Sequence, residues 1–520
     1  MQLTTLDIII VVIYAIGLFA LAQWISRDKT GRPKDSTEYF LASKNLPWWA
    51  IGASLIAANI SAEQIVGMSG SGYAIGLAIA SYEWMAAITL VIVGKWFLPI
   101  FLENRIYTMP QFLEQRYGAR IRTLMAVFWL ALYIFVNLTS IIWLGSIAVT
   151  KVAGVDQNVA LVALGVFALL YQLRGGLRAV AMTDIVQVSL LIMGGLMVSG
   201  LTLAEIGDGR GVAAGLSTLV ERAPDHFHMI LTQASPYYKD LPGISVLIGG
   251  MWIANLSYWG FNQYIIQRAL AAKDLHEAQK GVMFAAYLKL LMPLIIVVPG
   301  IAAVVLAPDL ARPDEAYPTM MRLLPAGLAG LVFAALIAAI VASTASKINS
   351  VATIFTLDIY NKMGAPKSEE QLVRMGRIAA VASIVLAIAT ARPLLGSFDQ
   401  AFQYIQEYTG FFTPGIVVIF LLGLFWKKAT EAGALAATIG SFVLSIAIKA
   451  LWPALPFMDR MAVVFLLALA LGVMFSLLRP VSAASNRIHT TGVSFSTAPA
   501  FNVGSLGVIV VLIALYTAWW

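Results

Sequence analysis

Apolar segments recur along the whole of this 520-residue chain. A membrane-spanning α-helix needs about 20 mostly apolar residues to cross a hydrocarbon core ~30 Å thick. The chain is 60% hydrophobic and 12% charged, about half the charged share of a soluble domain. The pattern predicts an all-α polytopic membrane protein of about fourteen helices. The predicted spans lie near 6–26, 48–70, 80–101, 122–150, 157–173, 182–206, 243–264, 281–306, 325–347, 378–391, 400–425, 430–449, 461–478 and 503–519.

The composition also argues against several other classes of protein. The chain has no cysteine, and its 4 histidines have no HxxxH spacing, so a metal enzyme is not expected. We find no nucleophile paired with a base, and we do not expect an enzyme of any kind. The first positive charges follow the first apolar segment, which predicts a retained helix rather than a cleaved signal.

The net charge of +7 reflects membrane topology rather than nucleic-acid binding. With the N-terminus outside, about 23 of the 34 Lys and Arg residues fall in predicted inner loops, among them Arg105, Arg120, Lys273 and Lys347. Because inner loops carry the excess of positive charge in membrane proteins, both termini are expected to be extracytoplasmic.

Two predicted helices carry polar residues at mid-membrane depth. Unwound backbone is tolerated there only where it is buried or lines a cavity. Two broken helices that open equivalent five-helix halves predict an inverted-repeat transporter with its site between the halves. The alternative is tightly packed helices whose polar side chains bond internally. The residues that interrupt the two apolar segments are Asn59, Ser61, Glu63 and Gln64 within 51–76, and Gly249, Gly250, Asn255 and Ser257 within 244–268.

Three charged residues, Glu83, Asp184 and Lys289, lie within predicted spans or at their ends. A charge at mid-membrane costs about 2.5–3.5 kcal/mol on insertion scales, so each is a candidate functional residue. Simpler interpretations remain open for all three. Glu83 and Asp184 each follow a hydroxyl residue where a helix begins, and Lys289 could extend its ammonium toward the interface.

The ninth predicted helix concentrates hydroxyl and amide groups, at Ser343, Thr344, Ser346, Asn349 and Ser350. One interpretation is a sodium site, because Na⁺ prefers oxygen ligands and a broken helix offers free carbonyls. The other is that the hydroxyls bond back to carbonyls one turn earlier in the helix.

A polar and aromatic segment at 398–415 opens the eleventh predicted helix. Gln403 and Gln406 lie one turn apart, so we expect both amides on one side of the helix. Amides donate and accept hydrogen bonds, as sugar hydroxyls do.

Four stretches, 46–85, 254–273, 401–415 and 421–434, resemble the bacterial sodium/glucose and sodium/galactose cotransporters of the solute:sodium symporter family. The resemblance runs from about residue 6 to 478 and implies a LeuT-like fold, in which helices 2–11 form two inverted five-helix repeats. It implies a single transport domain composed of an extra helix and inner loop at 6–47, a first repeat at 48–206, a second at 243–425 and extra helices at 430–520.

The resemblance also implies roles for individual residues. The sugar site is expected to use Gln64, Glu83, Asn255, Lys289 and Gln406, with Tyr258 as an inner gate. Met68, Tyr82 and Phe402 are similar to an outer gate. The sodium site is expected to use the carbonyls of Ala57, Ile60 and Ala339 and the hydroxyl of Ser343, with Asp184 on the exit path of the ion.

Three positions depart from the family pattern. Ala86 replaces a serine at the sugar, Ala342 replaces one of two adjacent serines at the ion, and Ser257 replaces a tyrosine beside the inner gate. The expected function is sodium-coupled import of galactose or glucose into a bacterium across its inner membrane, with one sodium ion per sugar and sodium as the required cofactor. The expected partners are the sugar, sodium and the lipid bilayer, without nucleic acid. The alternatives are a sodium symporter for inositol, proline, a vitamin or a carboxylate, and a sugar sensor that does not transport.

Overall fold

The structure is a computed structural model that describes residues 3–26, 46–106, 108–174, 177–364, 367–398, 400–479, 488 and 492–520. The side chains of 19, 21–26, 173–174, 177–184 and 369 lie outside the described part. Asp184, the residue expected on the sodium exit path, is among them.

Each of the predicted apolar segments has a helical counterpart, and we number these helices α1 to α14. Among the described residues, 9 helices are long and apolar enough to cross a membrane, and 2 bent helix pairs complete further spans. The only β pairing in the described part is an isolated bridge between Leu46 and Ala272. The helices are α1 Thr5–Ser26, α2 Trp48–Asn59 with Glu63–Ile75, α3 Leu77–Glu103, α4 Ala119–Ala153, α5 Gln157–Arg174, α6 Leu177–Ile206, α7 Gly250–Asn255 continued by Leu256–Phe261 and Gln263–Leu270, α8 Leu275–Leu306, α9 Leu328–Lys362, α10 Glu369–Leu395, α11 Ala401–Thr409 with Thr413–Phe425, α12 Glu431–Leu451, α13 Phe457–Leu478 and α14 Pro499–Ala518.

The predicted interruptions of α2 and α7 are present. The two halves of α2 meet at an angle of 65°, and Ile60 between them is extended, with φ −70° and ψ 110°. A short helix, Ser245–Ile248, ends at Gly249 just before α7. Both helices contain a wide π-helical turn, at Glu63–Met68 and Leu256–Phe261. Such turns change the direction of side chains and are frequent at functional sites.

A third interruption lies in α11, where Ala401–Thr409 and Thr413–Phe425 meet at 46°. The sequence indicated one continuous span at 400–425. Pro414 is the second residue of the second half, and it lacks the backbone N–H that would continue the hydrogen bonds of the first half, which accounts for the interruption at this point.

Close approach of helices forms the core. α8 packs along both halves of α2 and against α3, and α9 is the most deeply buried of the long helices. At Gly52 on α2, a Cβ atom would lie 2.7 Å from the carbonyl oxygen of Gly281 on α8, so only glycine allows this contact. The last helix, α14, lies at the periphery.

The N-terminal helix is fixed to α9 by one buried carboxylate. Asp7 accepts hydrogen bonds from the backbone N–H of Gly327, at 2.7 Å, and of Gly330, at 2.8 Å. These N–H groups belong to the N-terminal end of α9, where an anion is favoured by the helix dipole. α1 thereby holds the helix that carries Ser343.

One basic residue was placed wrongly from the sequence. Lys347 was assigned to an inner loop because the ninth span was ended at 347. α9 continues to Lys362, and Lys347 is buried within it, with 3% of its surface exposed. The division of the chain into repeats at the residue boundaries given above stays a prediction.

Candidate substrate and ion site

All nine side chains expected to bind or gate a sugar line one cavity of about 90 Å³. The cavity lies between α2, α3, α7, α8 and α11, with further contributions from α4 and α13. Its lining also includes Asn59, Ala86, Trp129, Ser257, Trp259, Thr409 and Met461. The expected sugar and gate residues that line the cavity are Gln64, Met68, Tyr82, Glu83, Asn255, Tyr258, Lys289, Phe402 and Gln406.

A buried ion pair forms one polar wall of the cavity. The Lys289 ammonium lies 2.5 Å from Oε2 of Glu83 and also donates a hydrogen bond to Oδ1 of Asn59. Lys289 is 1% exposed, so it does not extend toward the interface, and that interpretation is wrong. Glu83 does lie in the first turn of a helix, Ser81–Ile92, but its carboxylate is paired with a lysine as well.

Asn59 connects this ion pair to the expected inner gate. Its Nδ2 donates to the hydroxyl of Tyr258 at 3.1 Å, while its Oδ1 accepts from Lys289. Asn59 is the last helical residue before the break in α2, so its orientation depends on that break. The sequence showed Asn59 as a polar interruption but did not indicate this bridging position.

Three amide side chains supply neutral donors and acceptors to the cavity. The side-chain amides of Gln64 and Gln406 make no hydrogen bond to another described residue, and both residues are partly exposed. Nδ2 of Asn255 donates to the carbonyl of Met251 at 3.1 Å, which leaves its Oδ1 for a ligand. Gln403 was expected beside Gln406 but is buried outside the cavity lining, with neither amide atom paired among the described residues.

Aromatic side chains bound the cavity. The rings of Tyr82 and Phe402 meet edge to face with centroids 5.1 Å apart, and Met68 is fully buried. The ring centroids of Tyr258 and Trp259 lie 5.2 Å apart, and the Lys289 ammonium lies 5.0 Å from the ring centroid of Trp259. The rings of Tyr82 and Phe402 are thus in direct contact in this structure.

The segment between α6 and α7 packs against the junction of α2 and α3, close to the expected outer gate. α2 passes into α3 through Gly76, whose φ of 90° favours glycine and where a Cβ would lie 2.4 Å from the carbonyl oxygen of His226. Burial lowers the pKa of His226, and its Nε2 lies 3.0 Å from the carbonyl of Tyr73. Burial, together with the charge of Glu407, raises the pKa of Asp240 to about 6.

The structure distinguishes the hydroxyl groups of α9. Thr344 donates to the carbonyl of Ile340 at 2.7 Å, and Ser350 donates to that of Ser346 at 3.0 Å, so both bond within their own helix. The hydroxyl of Ser343 makes no hydrogen bond to another described residue and remains available to a cation. Ala339 lies one turn before it on the same face. Ala57 and Ile60 lie in the last turn before the break in α2 and just after it.

A second buried ion pair connects α2 to α9 near these residues. Lys347 Nζ lies 3.5 Å from Oε2 of Glu63, and the hydroxyl of Ser140 on α4 donates to Oε1 of Glu63 at 2.7 Å. Glu63 was expected only as a polar interruption of α2, and its pairing with Lys347 was not predicted. The available signal was the spacing of Ser343 and Lys347, which are four residues apart and therefore share a helix face.

An α-helical membrane bundle with broken helices around a central polar cavity defines a secondary transporter. The chain matches the sodium:solute symporter family over residues 39–440, and it belongs to that family. It is a multi-pass membrane transporter and not an enzyme, as the sequence predicted.

Several named proteins are similar to this chain. The sodium/glucose cotransporter of Vibrio parahaemolyticus is 50% identical, over 100% of this chain and 99% of its own length. The sodium/myo-inositol cotransporter 2 of Bos taurus is 35% identical, over 85% of this chain and 69% of its own length. The sodium/glucose cotransporter 1 of Ovis aries is 33% identical, over 85% of this chain and 71% of its own length.

Two solved structures share the fold. A Na⁺-coupled sialic acid symporter superposes with a TM-score of 0.78 at 22% identity, covering 92% of this chain and 99% of its own. Mhp1, a nucleobase-cation-symport-1 family transporter, gives a TM-score of 0.55 at 14% identity, covering 87% of this chain and 98% of its own. The predicted LeuT-like fold class is confirmed. The roles of individual site residues stay predictions.

Proposed function

We propose that this chain is a sodium-coupled symporter that imports a neutral hexose, with glucose as the first candidate. Its full-length relative from Vibrio parahaemolyticus is named a sodium/glucose cotransporter and shares 50% of its residues. Sodium is then a co-transported ion rather than a cofactor, which corrects the expectation from the sequence. The proposal includes a bacterial inner membrane location with both termini outside the cytoplasm.

The proposed substrate class rests on one observation, the pairing of Lys289 with Glu83 and Asn59. A carboxylate substrate would require an unpaired cation or a free helix N-terminus at the site. The Lys289 ammonium is already bonded to Glu83 and Asn59, and it is the only cation among the described residues that line the cavity. The remaining polar groups are neutral amides and hydroxyls, which match the alternating donors and acceptors of a sugar.

The proposed sodium site lies between α2 and α9. The carbonyls of Ala57, Ile60 and Ala339 and the hydroxyl of Ser343 would supply oxygen ligands, and Asp184 would lie on the exit path. The extended backbone at Ile60 removes its carbonyl from the regular helix, and the Ser343 hydroxyl has no competing bond in the described part of the chain. Sodium would favour the outward-open state only by binding that state more tightly.

Transport then follows from two gates at one cavity. The sugar binds to Gln64, Glu83, Asn255, Lys289 and Gln406 while sodium is bound. Tyr82, Phe402 and Met68 close above it, and the rings of Tyr82 and Phe402 are already in contact in this structure. Tyr258 then moves away from Asn59 to open the inner side. Release of sodium and sugar to the cytoplasm completes the import step.

A second candidate is a symporter for myo-inositol. Relatives with this substrate in their name are 34–35% identical to the chain, and a cyclic polyol presents the same hydroxyl chemistry as a hexose. Ala86 lines the cavity where a serine would add a donor and an acceptor, so this position is expected to influence which polyol binds.

Replacement of the cavity amides tests the substrate class. Asn255→Ala or Gln406→Ala should reduce sodium-dependent uptake of labelled sugar by about tenfold or more, since each lost bond to a buried hydroxyl costs about 1–3 kcal/mol. Uptake should be measured in proteoliposomes with glucose, galactose, myo-inositol and proline. Gln403→Ala, one turn away but outside the cavity, is the matched control. Wild-type transport of proline without any sugar would refute the proposed function.

The coupling ratio should be one sodium ion per sugar. Ala342 and Ala345 offer no side-chain oxygen beside Ser343, and Thr344 bonds to its own helix, so a second ion would find few ligands on α9. A tenfold sodium gradient supplies about 1.4 kcal/mol, and 100 mV about 2.3 kcal/mol per charge. One ion therefore sustains roughly 500-fold accumulation, and two ions on the order of 10⁵-fold. Reversal potentials in proteoliposomes measure the ratio directly, and a balance at twice the sodium driving force would show two ions.

A further inference from the structure

The second buried ion pair has no place in the transport scheme described so far. Glu63 lies in the π-helical turn that follows the break in α2, and Lys347 lies in the middle of α9. Their side chains are 11% and 4% exposed, and their charged atoms lie 3.5 Å apart. Glu63 also accepts from Ser140, and the Lys347 ammonium lies 5.3 Å from the centroid of the Tyr264 ring. A charge pair so deeply buried is costly unless it is well compensated.

The position of the pair relates it to the proposed sodium ligands. Lys347 is one helical turn beyond Ser343, so both side chains project from the same face of α9. Glu63 is three residues beyond Ile60, immediately after the break. Each of the two helices that would bind sodium therefore carries one member of the pair close to its ligands.

We propose that Glu63 and Lys347 determine the electrostatic potential at the sodium site, so that the Lys347 ammonium lowers sodium affinity and the Glu63 carboxylate raises it. Neither residue is proposed as a ligand of the ion. The inference rests on the proposed function, because it requires sodium to bind between α2 and α9.

The physical argument is the range of charge interactions in a dry interior. A sodium ion and a side-chain charge that lie about 8 Å apart, one and a half helical turns, interact appreciably at an effective dielectric constant near 20. Salt screens exposed charges but has little effect on buried ones. Sodium loses its hydration shell on binding, and the proposed ligands are all neutral oxygens, so a nearby carboxylate and ammonium should have large opposite effects on its affinity.

A purely mechanical role for the pair makes a different prediction. If Glu63 and Lys347 only held α2 against α9, removing either partner would disturb the site in the same way, and sodium affinity would fall in both variants. If they act through charge, the two single replacements must move sodium affinity in opposite directions. The sign of the effect therefore separates the two roles.

The experiment compares Lys347→Met, Glu63→Gln and the double variant in proteoliposomes at saturating sugar and one fixed pH. The half-saturating sodium concentration should fall about tenfold in Lys347→Met and rise about tenfold in Glu63→Gln. The double variant should return to within about threefold of the wild type, since it leaves no unpaired charge. Lys280→Met is the control, because the Lys280–Glu277 pair is on the surface, with the lysine 44% exposed.

The stabilisation of each variant by sodium, measured as a thermal shift without sugar, gives a second value of sodium affinity that does not depend on transport. If Glu63→Gln does not fold, Lys347→Met must still bind sodium more tightly than the double variant. Weaker sodium binding in Lys347→Met, or no change in either single variant, would overturn the inference. Absence of sodium dependence in the wild type would instead refute the proposed function.

Discussion

Ser343→Ala should abolish sodium-dependent sugar uptake while the protein still inserts and folds. Ser343 provides the only side-chain oxygen proposed for the ion, and its hydroxyl makes no hydrogen bond to another described residue. A cation in the membrane interior needs several oxygens to replace its hydration shell, and Ala342 offers no substitute next to Ser343. Initial uptake rates in proteoliposomes, with and without a sodium gradient, measure the effect.

The neighbouring Thr344 is the matched control for this prediction. Its hydroxyl donates to the carbonyl of Ile340, so it is already engaged within α9. Thr344→Val removes that hydroxyl with little change of volume and should leave the sodium dependence of uptake unchanged, at a cost in stability of about 1 kcal/mol. Wild-type sodium dependence in Ser343→Ala would reject the proposed ion site, and its loss in Thr344→Val alone would place the ion on another face of α9.

Lys289→Met should reduce sugar uptake by about a hundredfold and destabilise the protein by about 3–5 kcal/mol. The replacement leaves the buried Glu83 carboxylate without its cation and removes the donor to Asn59. Asn59 then loses the bond that orients it toward Tyr258, so the cavity wall and the expected inner gate are disturbed together. Sugar uptake in proteoliposomes and unfolding in detergent measure the two effects separately.

A double replacement separates the contribution of this pair to stability from its contribution to binding. Glu83→Gln with Lys289→Met removes both charges, so stability should recover to within about 1–2 kcal/mol of the wild type, since no unpaired charge stays buried. Sugar uptake should not recover, because both groups are proposed to bind the sugar. Lys449→Met is the surface control, because Lys449 is 38% exposed and Glu407 keeps its contact with Arg460 at 3.2 Å. Full transport by the double variant would show that the pair is structural only.

Much of the fold could be predicted from the sequence, because the properties that specify it are local. A run of about 20 apolar residues predicts a membrane helix wherever it packs, and polar residues inside such a run predict a break. The interruptions of α2 and α7 follow from this rule. The bend of α11 was missed because the span was assigned from hydropathy, which does not register the loss of a backbone donor at Pro414.

The sequence, through its motifs and family resemblance, also predicted nine sugar and gate residues, and all nine line the cavity. Only the tertiary structure decided how the charges are compensated. It paired Lys289 with Glu83 and Asn59, across 206 and 230 positions of the chain, and it placed Lys347 against Glu63 rather than in a loop. Hydropathy and helical spacing describe each helix by itself, whereas the partner of a buried charge depends on which helices meet at that depth and on the angle at which a broken helix directs its side chains.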